Sequence, residues 1–232
     1  MNGMLIVAQK EIRQILKSRN VLASAIIFVI VFGGFSSLST LTSEGGGGPL
    51  DQLVFTLVPV LGIFMGYLFS SQAFLREKQG GIVETLLCSP LSLREIWMGK
   101  VIGVTVPAYG LTLLAAALIL GLANSLSQMT LLPSLPLIAH LFTTVPLFIA
   151  ATVGLLGFAQ LLLGLRENQI LNFAIIFALI FLLTMSQALF GSGFTISWVV
   201  VGSSLAIAIL LLIATSWLTR FLDKERIVIT IP

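Results

Sequence analysis

Long apolar runs separated by short polar stretches dominate this chain, and the length of the runs sets the first expectation. Hydrocarbon about 30 Å thick takes about 20 residues of helix to cross. Runs of that size occupy Val21–Leu41, Leu53–Leu75, Val101–Ala123, Leu137–Leu163, Ile170–Phe190 and Ile196–Thr219. The pattern therefore predicts an all-α membrane protein with six transmembrane helices filling residues 21–219, preceded by a segment 1–20 and followed by a tail 220–232.

The leading segment has a pattern of its own. At 100° per residue, Leu5, Ala8, Ile12, Ile15 and Leu16 share one arc, and Lys10, Arg13 and Lys17 lie opposite. This predicts an amphipathic interfacial helix whose apolar face sinks to the headgroup boundary, while its basic face meets anionic lipid or a protein partner. A cleaved leader is the competing reading, since a basic head, an apolar run and the small residues Ser36, Ser37 and Ser39 follow in order. The helical periodicity of the head argues against it.

Residues 76–100 form the longest polar stretch. Gly80 and Gly81 break the preceding helix, Ile82, Val83, Leu86 and Leu87 repeat at helical spacing, and Pro90 ends that repeat. A short amphipathic helix between spans two and three is expected. Ser92 with Glu95 has capping-box spacing, so the next helix should start near Leu93 and run through Trp97, at headgroup depth, into the third span.

Composition and charge sharpen this picture. Apolar residues make up 57% of the chain and charged residues 9%, against about 25% charged in ordinary globular proteins. A net charge of +3 is too small to coat nucleic acid, so none is expected as a partner. All 12 Lys and Arg fall in the pieces 1–20, 76–100, 164–169 and 220–232, whereas the intervening outer loops carry only Glu44 and Asp51. Positive flanks stay on the cytoplasmic side, which puts both termini there and the protein in the cell membrane. A lone cysteine, Cys88, and a lone histidine, His140, leave no metal-ligand spacing.

The stretch Arg76-Glu77-Lys78, Gly80 or Gly81, Glu84, Leu86-Leu87, Ser89-Pro90 and Gly99-Lys100 resembles the cytoplasmic loop of ABC type-2 transporter permeases, although Ile82 stands where that family often has Thr. The resemblance implies a permease subunit of an ATP-driven exporter, paired with a second copy or a paralogue and driven by a separate ATPase subunit that binds the ATP. It implies a coupling helix docking on that ATPase, with Arg76, Glu77, Gly81, Glu84, Leu86, Leu87, Ser89 and Pro90 as the coupling residues. It also suggests a re-entrant hairpin over residues 186–198. The haem exporter permease of cytochrome c maturation is an alternative subfamily.

The residues themselves are consistent with a motor on another chain. Gly45–Gly48 is followed by Pro49 and no Lys-Ser pair, so it is not a phosphate cradle; no cofactor is expected in this chain and no enzymatic activity of its own. Mid-span ionisable groups, which ion-coupled carriers keep, are missing. Gln72, Gln160, Asn168, Asn172, Ser186, Gln187, Ser203, Ser204 and Thr215 are expected mostly as interhelical glue, and Gly62-x-x-x-Gly66 and Gly99-x-x-x-Gly103 as close-packing sites within the bundle. Pro59, Pro107 and Pro146 should bend their spans. His140 is expected at headgroup level, and Ser192, in a short outer turn, is not placed as a nucleophile. An assembly scaffold for a soluble partner and an ATP-independent channel or carrier are the competing functions.

Overall fold

The computed structural model describes residues 3–41, 47–82, 88, 90–127, 132–163, 165–188 and 196–221. Every element among these residues is helical. Backbone amides in hydrocarbon must be satisfied within their own segment, and helices do that. In chain order they are α1 (Gly3–Lys17), α2 (Arg19–Leu41), α3 (Gly47–Ser70), α4 (Arg76–Gln79), α5 (Leu93–Ser127), α6 (Leu135–Ala139), α7 (Val145–Leu162), α8 (Leu165–Ala188) and α9 (Trp198–Leu218). A π-turn at Ser71–Leu75 joins α3 to α4, and another at His140–Thr144 joins α6 to α7.

Four stretches are long and apolar enough to cross a bilayer: Leu50–Gln79, Leu93–Ser125, Leu135–Leu162 and Trp198–Leu218. Counting Gly3–Lys17 with Arg19–Phe35, a pair bent by 74°, as one span gives a fifth. The chain is thus an all-helical membrane protein. A helix lies on each of the six expected runs, but the apolar part of α8, Ile170–Met185, is shorter than the others. The second run is longer than expected, and the third begins at Leu93, where the capping-box spacing puts its start. Their polar ends stay helical because Glu77, Lys78 and Lys100 find partners inside the bundle.

Local chemistry explains the breaks. Ser18 ends α1 by donating its hydroxyl to the Ile15 carbonyl at 2.7 Å, and the Leu22 amide then uses the Ser18 carbonyl to start α2. Gly81 stops α4 with φ +68, a conformation that side chains with a Cβ resist. The Ser92–Glu95 capping box forms as expected: the Glu95 amide donates to Ser92 Oγ at 3.3 Å, and the Ser92 amide donates to Glu95 Oε2 at 2.9 Å. Pro146 acts one turn upstream of itself. Lacking an N–H, it cannot serve the carbonyls behind it, the ladder widens into the π-turn, and Tyr109 of α5 donates its hydroxyl to the Leu141 carbonyl at 3.2 Å.

Helix α5 is the hub, packing against α1, α2, α3 and α7. Its glycines permit the closest approach. A Cβ on Gly99 would lie 2.7 Å from the Met4 carbonyl oxygen and from Val7 Cβ; one on Gly103 would lie 2.7 Å from Glu11 Cβ and 2.9 Å from the Ala8 oxygen. On α3, Gly62 and Gly66 face Ile149 and Val153 of α7 in the same way. Both small-residue pairs are internal packing sites, as their spacing suggested. On α7, Gly154 and Gly157 receive the rings of Trp97 and Phe74.

Gly103→Ala should loosen α1, lowering stability in detergent by about 1–3 kcal/mol. Gly110→Ala, where nothing lies within 4 Å, should be neutral or stabilising by up to ~1 kcal/mol through helix propensity. Thermal unfolding of the two variants side by side checks the contrast.

Candidate functional site

The mixed-charge triplet at residues 76–78 closes the long second span, and helical geometry sends its three side chains in three directions. Arg76 remains at the surface and donates to Gln72 Oε1 at 3.0 Å. Glu77, 2% exposed, turns inward toward α1 and α5. Lys78, fully buried, reaches the end of α7 and donates to the carbonyls of Leu161 at 2.9 Å and Leu163 at 2.7 Å. Those carbonyls belong to the last turn of α7 and the residue after it, where the intrahelical donors have run out and the helix dipole favours a cation. Asn168 adds a bond to the Gln160 carbonyl at 3.1 Å.

The inward carboxylate is one corner of a buried cluster. Lys100 Nζ lies 2.5 Å from Glu77 Oε2, 3.1 Å from Glu11 Oε1 and 2.5 Å from the Ala73 carbonyl oxygen, with the Phe74 ring 5.2 Å beneath it. Lys10 pairs with Glu77 and, at 3.2 Å, with its neighbour Glu11. The cations of Lys10 and Lys100 balance the carboxylates of Glu11 and Glu77, so the buried group is neutral. Ala73 sits within the π-turn at Ser71–Leu75, and Lys100 serves a carbonyl of that irregular turn. The cluster fastens α1, the end of the second span and the start of α5 at one point.

This arrangement corrects two expectations and refines others. Glu77, expected to meet a partner, is buried against its own chain, because two lysines and a tight glycine-mediated helix crossing surround it. Lys10, expected on the free basic face, points back into the cluster, while Arg13 and Lys17 are exposed as expected. The apolar arc of α1 divides: Ala8 and Ile15 are buried against the bundle, and Leu5 and Leu16 are 54% and 58% exposed. Gly81 and Pro90 lie at the surface on either side of the segment between α4 and α5. Glu84, Leu86, Leu87 and Ser89 lie outside the described residues, as does the centre of the suggested 186–198 hairpin.

Glu11 and Lys78 carry as much of the geometry as the expected residues and were not singled out by sequence. Glu11 did leave a trace. It is the only acidic residue of the first twenty, and at 100° per residue it falls on the arc of Val7, Ala8 and Ile15 rather than among the bases.

His140 is 1% exposed, enclosed between helices: its ring stacks at 4.1 Å on Phe55, and Nδ1 is 3.4 Å from Ser204 Oγ. The interhelical bond of Ser70 to Gln160 Oε1, at 3.3 Å, is glue of the expected kind, whereas Gln72 bonds within its own helix. Among the described residues no group of three His, Cys, Asp or Glu is placed to hold a metal ion.

No family model matches the chain, and no curated protein matches it as a relative. Fold and site together define a helical membrane protein in which Lys10, Glu11, Glu77 and Lys100 form a charge-balanced fastening at one end of the bundle.

Removing one member of a buried ion pair strands its partner and costs about 3–5 kcal/mol. Lys100→Met and Glu77→Gln should each lower stability on that scale, and the double variant should lose less than the sum of the two. Arg76→Ala should stay within ~0.5 kcal/mol. A double-mutant cycle on melting in detergent checks this set.

Proposed function

We propose that the chain is the permease subunit of an ATP-driven exporter of the ABC type-2 kind, working in the cell membrane as a pair of permease chains above two separate ATPase subunits. In this reading α2, the four long spans and α8 make six crossings, both termini are cytoplasmic, and the charged end of the bundle faces the ATPase. The observation that carries it is the Lys10–Glu11–Glu77–Lys100 cluster. A segment that receives force from a soluble motor must pass it to several helices at once, and this cluster ties both flanks of the 80–92 segment to α1. A solvated connector needs no such anchoring.

The role of the coupling residues divides accordingly. Glu77 is a fastener that transmits motion without touching the ATPase. Glu84, Leu86, Leu87, Ser89 and Pro90 form the contact, flanked by Arg76, and Gly81 gives the turn that presents them. ATP is bound and hydrolysed by the partner. The one-sided distribution of basic residues supports the orientation.

A neighbouring reading frame that encodes a protein with a phosphate-binding loop is the first expected observation, and co-expression with that ATPase tests the proposal. The pair should co-purify and show ATP-dependent export in proteoliposomes, and Glu84→Ala or the Leu86→Ala/Leu87→Ala double variant should abolish coupling while leaving the permease folded. Unchanged association and transport in these variants would remove the assignment. Association with a soluble protein that lacks a phosphate-binding loop would favour a scaffold.

A further inference from the structure

Near the charged end, α5 and α9, both packed on α7, leave an open groove between them that holds a cavity of about 190 Å³. Trp97 and Val101 of α5, Thr215 and Ser216 of α9 and Ala150 of α7 line it, and Ile102, 40% exposed, stands at its edge. Its walls are almost wholly hydrocarbon. An apolar cavity near 150 Å³ is large enough to take benzene, so this one accommodates a section of alkyl chain.

Helical spacing puts a cation at the same end of both walls. Arg94 precedes Trp97 by three residues on α5, and Arg220 follows Ser216 by four, in the 3₁₀ turn Thr219–Phe221 that continues α9, so both arginines lie about one turn beyond the cavity at the same end of the bundle. Both arginines are exposed, and neither enters an ion pair among the described residues. The adjacent carboxylate of Glu95 is engaged by Ser92 in the capping box. Between cations and cavity stands Trp97, 5% exposed, whose indole nitrogen has no acceptor among the described residues. The order along the groove is therefore guanidinium, then hydrocarbon.

That order matches an anionic phospholipid read from phosphate to acyl chain. We propose that the groove between α5 and α9 is a binding site for one anionic phospholipid of the charged leaflet, its acyl chain in the cavity and its phosphate between Arg94 and Arg220. Charge complementarity selects the occupant. Two arginines bind a phosphate with charge-assisted hydrogen bonds that a detergent or sterol does not offer. The site is separate from the ion cluster and from the 80–92 segment, and it stands whether or not the chain is a permease.

The full chain in nanodiscs, with Trp198→Phe and Trp217→Phe leaving Trp97 as the sole tryptophan, gives the readout. Dibrominated phosphatidylglycerol should quench Trp97 with a saturating dependence on mole fraction, at about tenfold lower mole fraction than dibrominated phosphatidylcholine. Arg94→Gln/Arg220→Gln should erase that preference, and Ala150→Leu, which fills the cavity, should reduce saturable quenching several-fold with both lipids. Thr215→Leu gives a second filling variant should Ala150→Leu fail to assemble, and native mass spectrometry should show one retained anionic lipid per chain in the parent. Quenching that rises linearly and equally with both lipids, or that ignores the arginine and filling variants, would mean ordinary annular lipid and would overturn the site.

Discussion

Charge neutrality in a dry place is the constraint on which the architecture turns. A lone carboxylate or ammonium at the end of an apolar bundle would draw in water or shed its charge. Glu11, Glu77, Lys10 and Lys100 avoid both outcomes by meeting in one cluster, which requires that α1, α4 and α5 meet there too. The glycines at 99 and 103 remove the bulk that would hold α1 off α5, and the π-turn before α4 sets the rotation at which Glu77 faces inward. Backbone sterics and electrostatics are thus two conditions on one contact. Neither suffices alone, since close helices without pairing would bury bare charges and pairing without glycines would leave the helices apart.

The same end of the bundle shows how a helix terminus is completed without its own cap. Helix α7 leaves its last turn into extended backbone at Leu163, which leaves carbonyls of that turn without donors from the helix itself. Lys78 and Asn168 supply the missing donors from two other helices. Adjacent residues of α4 therefore hold opposite sides of the protein: Glu77 takes α1 and α5, and Lys78 takes α7. In the proposed exporter this makes the four-residue α4 the point from which a displacement of the neighbouring loop spreads into the bundle.

Much of the helical layout was legible in the sequence because the physics behind it is local. Hydropathy marks where helix is required, Gly80-Gly81 and Ser92–Glu95 mark its stops and starts, and small residues four apart mark where backbones can touch. What was not legible depends on distant partners. Glu77 read as a residue for a partner to meet and Lys78 only as part of a mixed-charge stretch, since nothing in residues 76–78 reveals that Lys100 and the end of α7 lie within reach. The enclosure of His140 by Phe55 and Ser204, from remote helices, was hidden in the same way. So was the extra length of the second span: hydropathy penalises each charge individually and cannot credit a pair that cancels.

The docking of α1 also bears on the order in which the chain is assembled. The partners that seat α1 in the bundle are synthesised much later: Glu77, which pairs with Lys10, 67 residues on, and Lys100, which pairs with Glu11, 89 residues on. Until the third run has emerged and entered the bilayer, the leading helix has no cleft to occupy. Its free leucines and outward bases give it somewhere to wait, flat on the lipid surface, so that the first helix made becomes one of the last to find its seat.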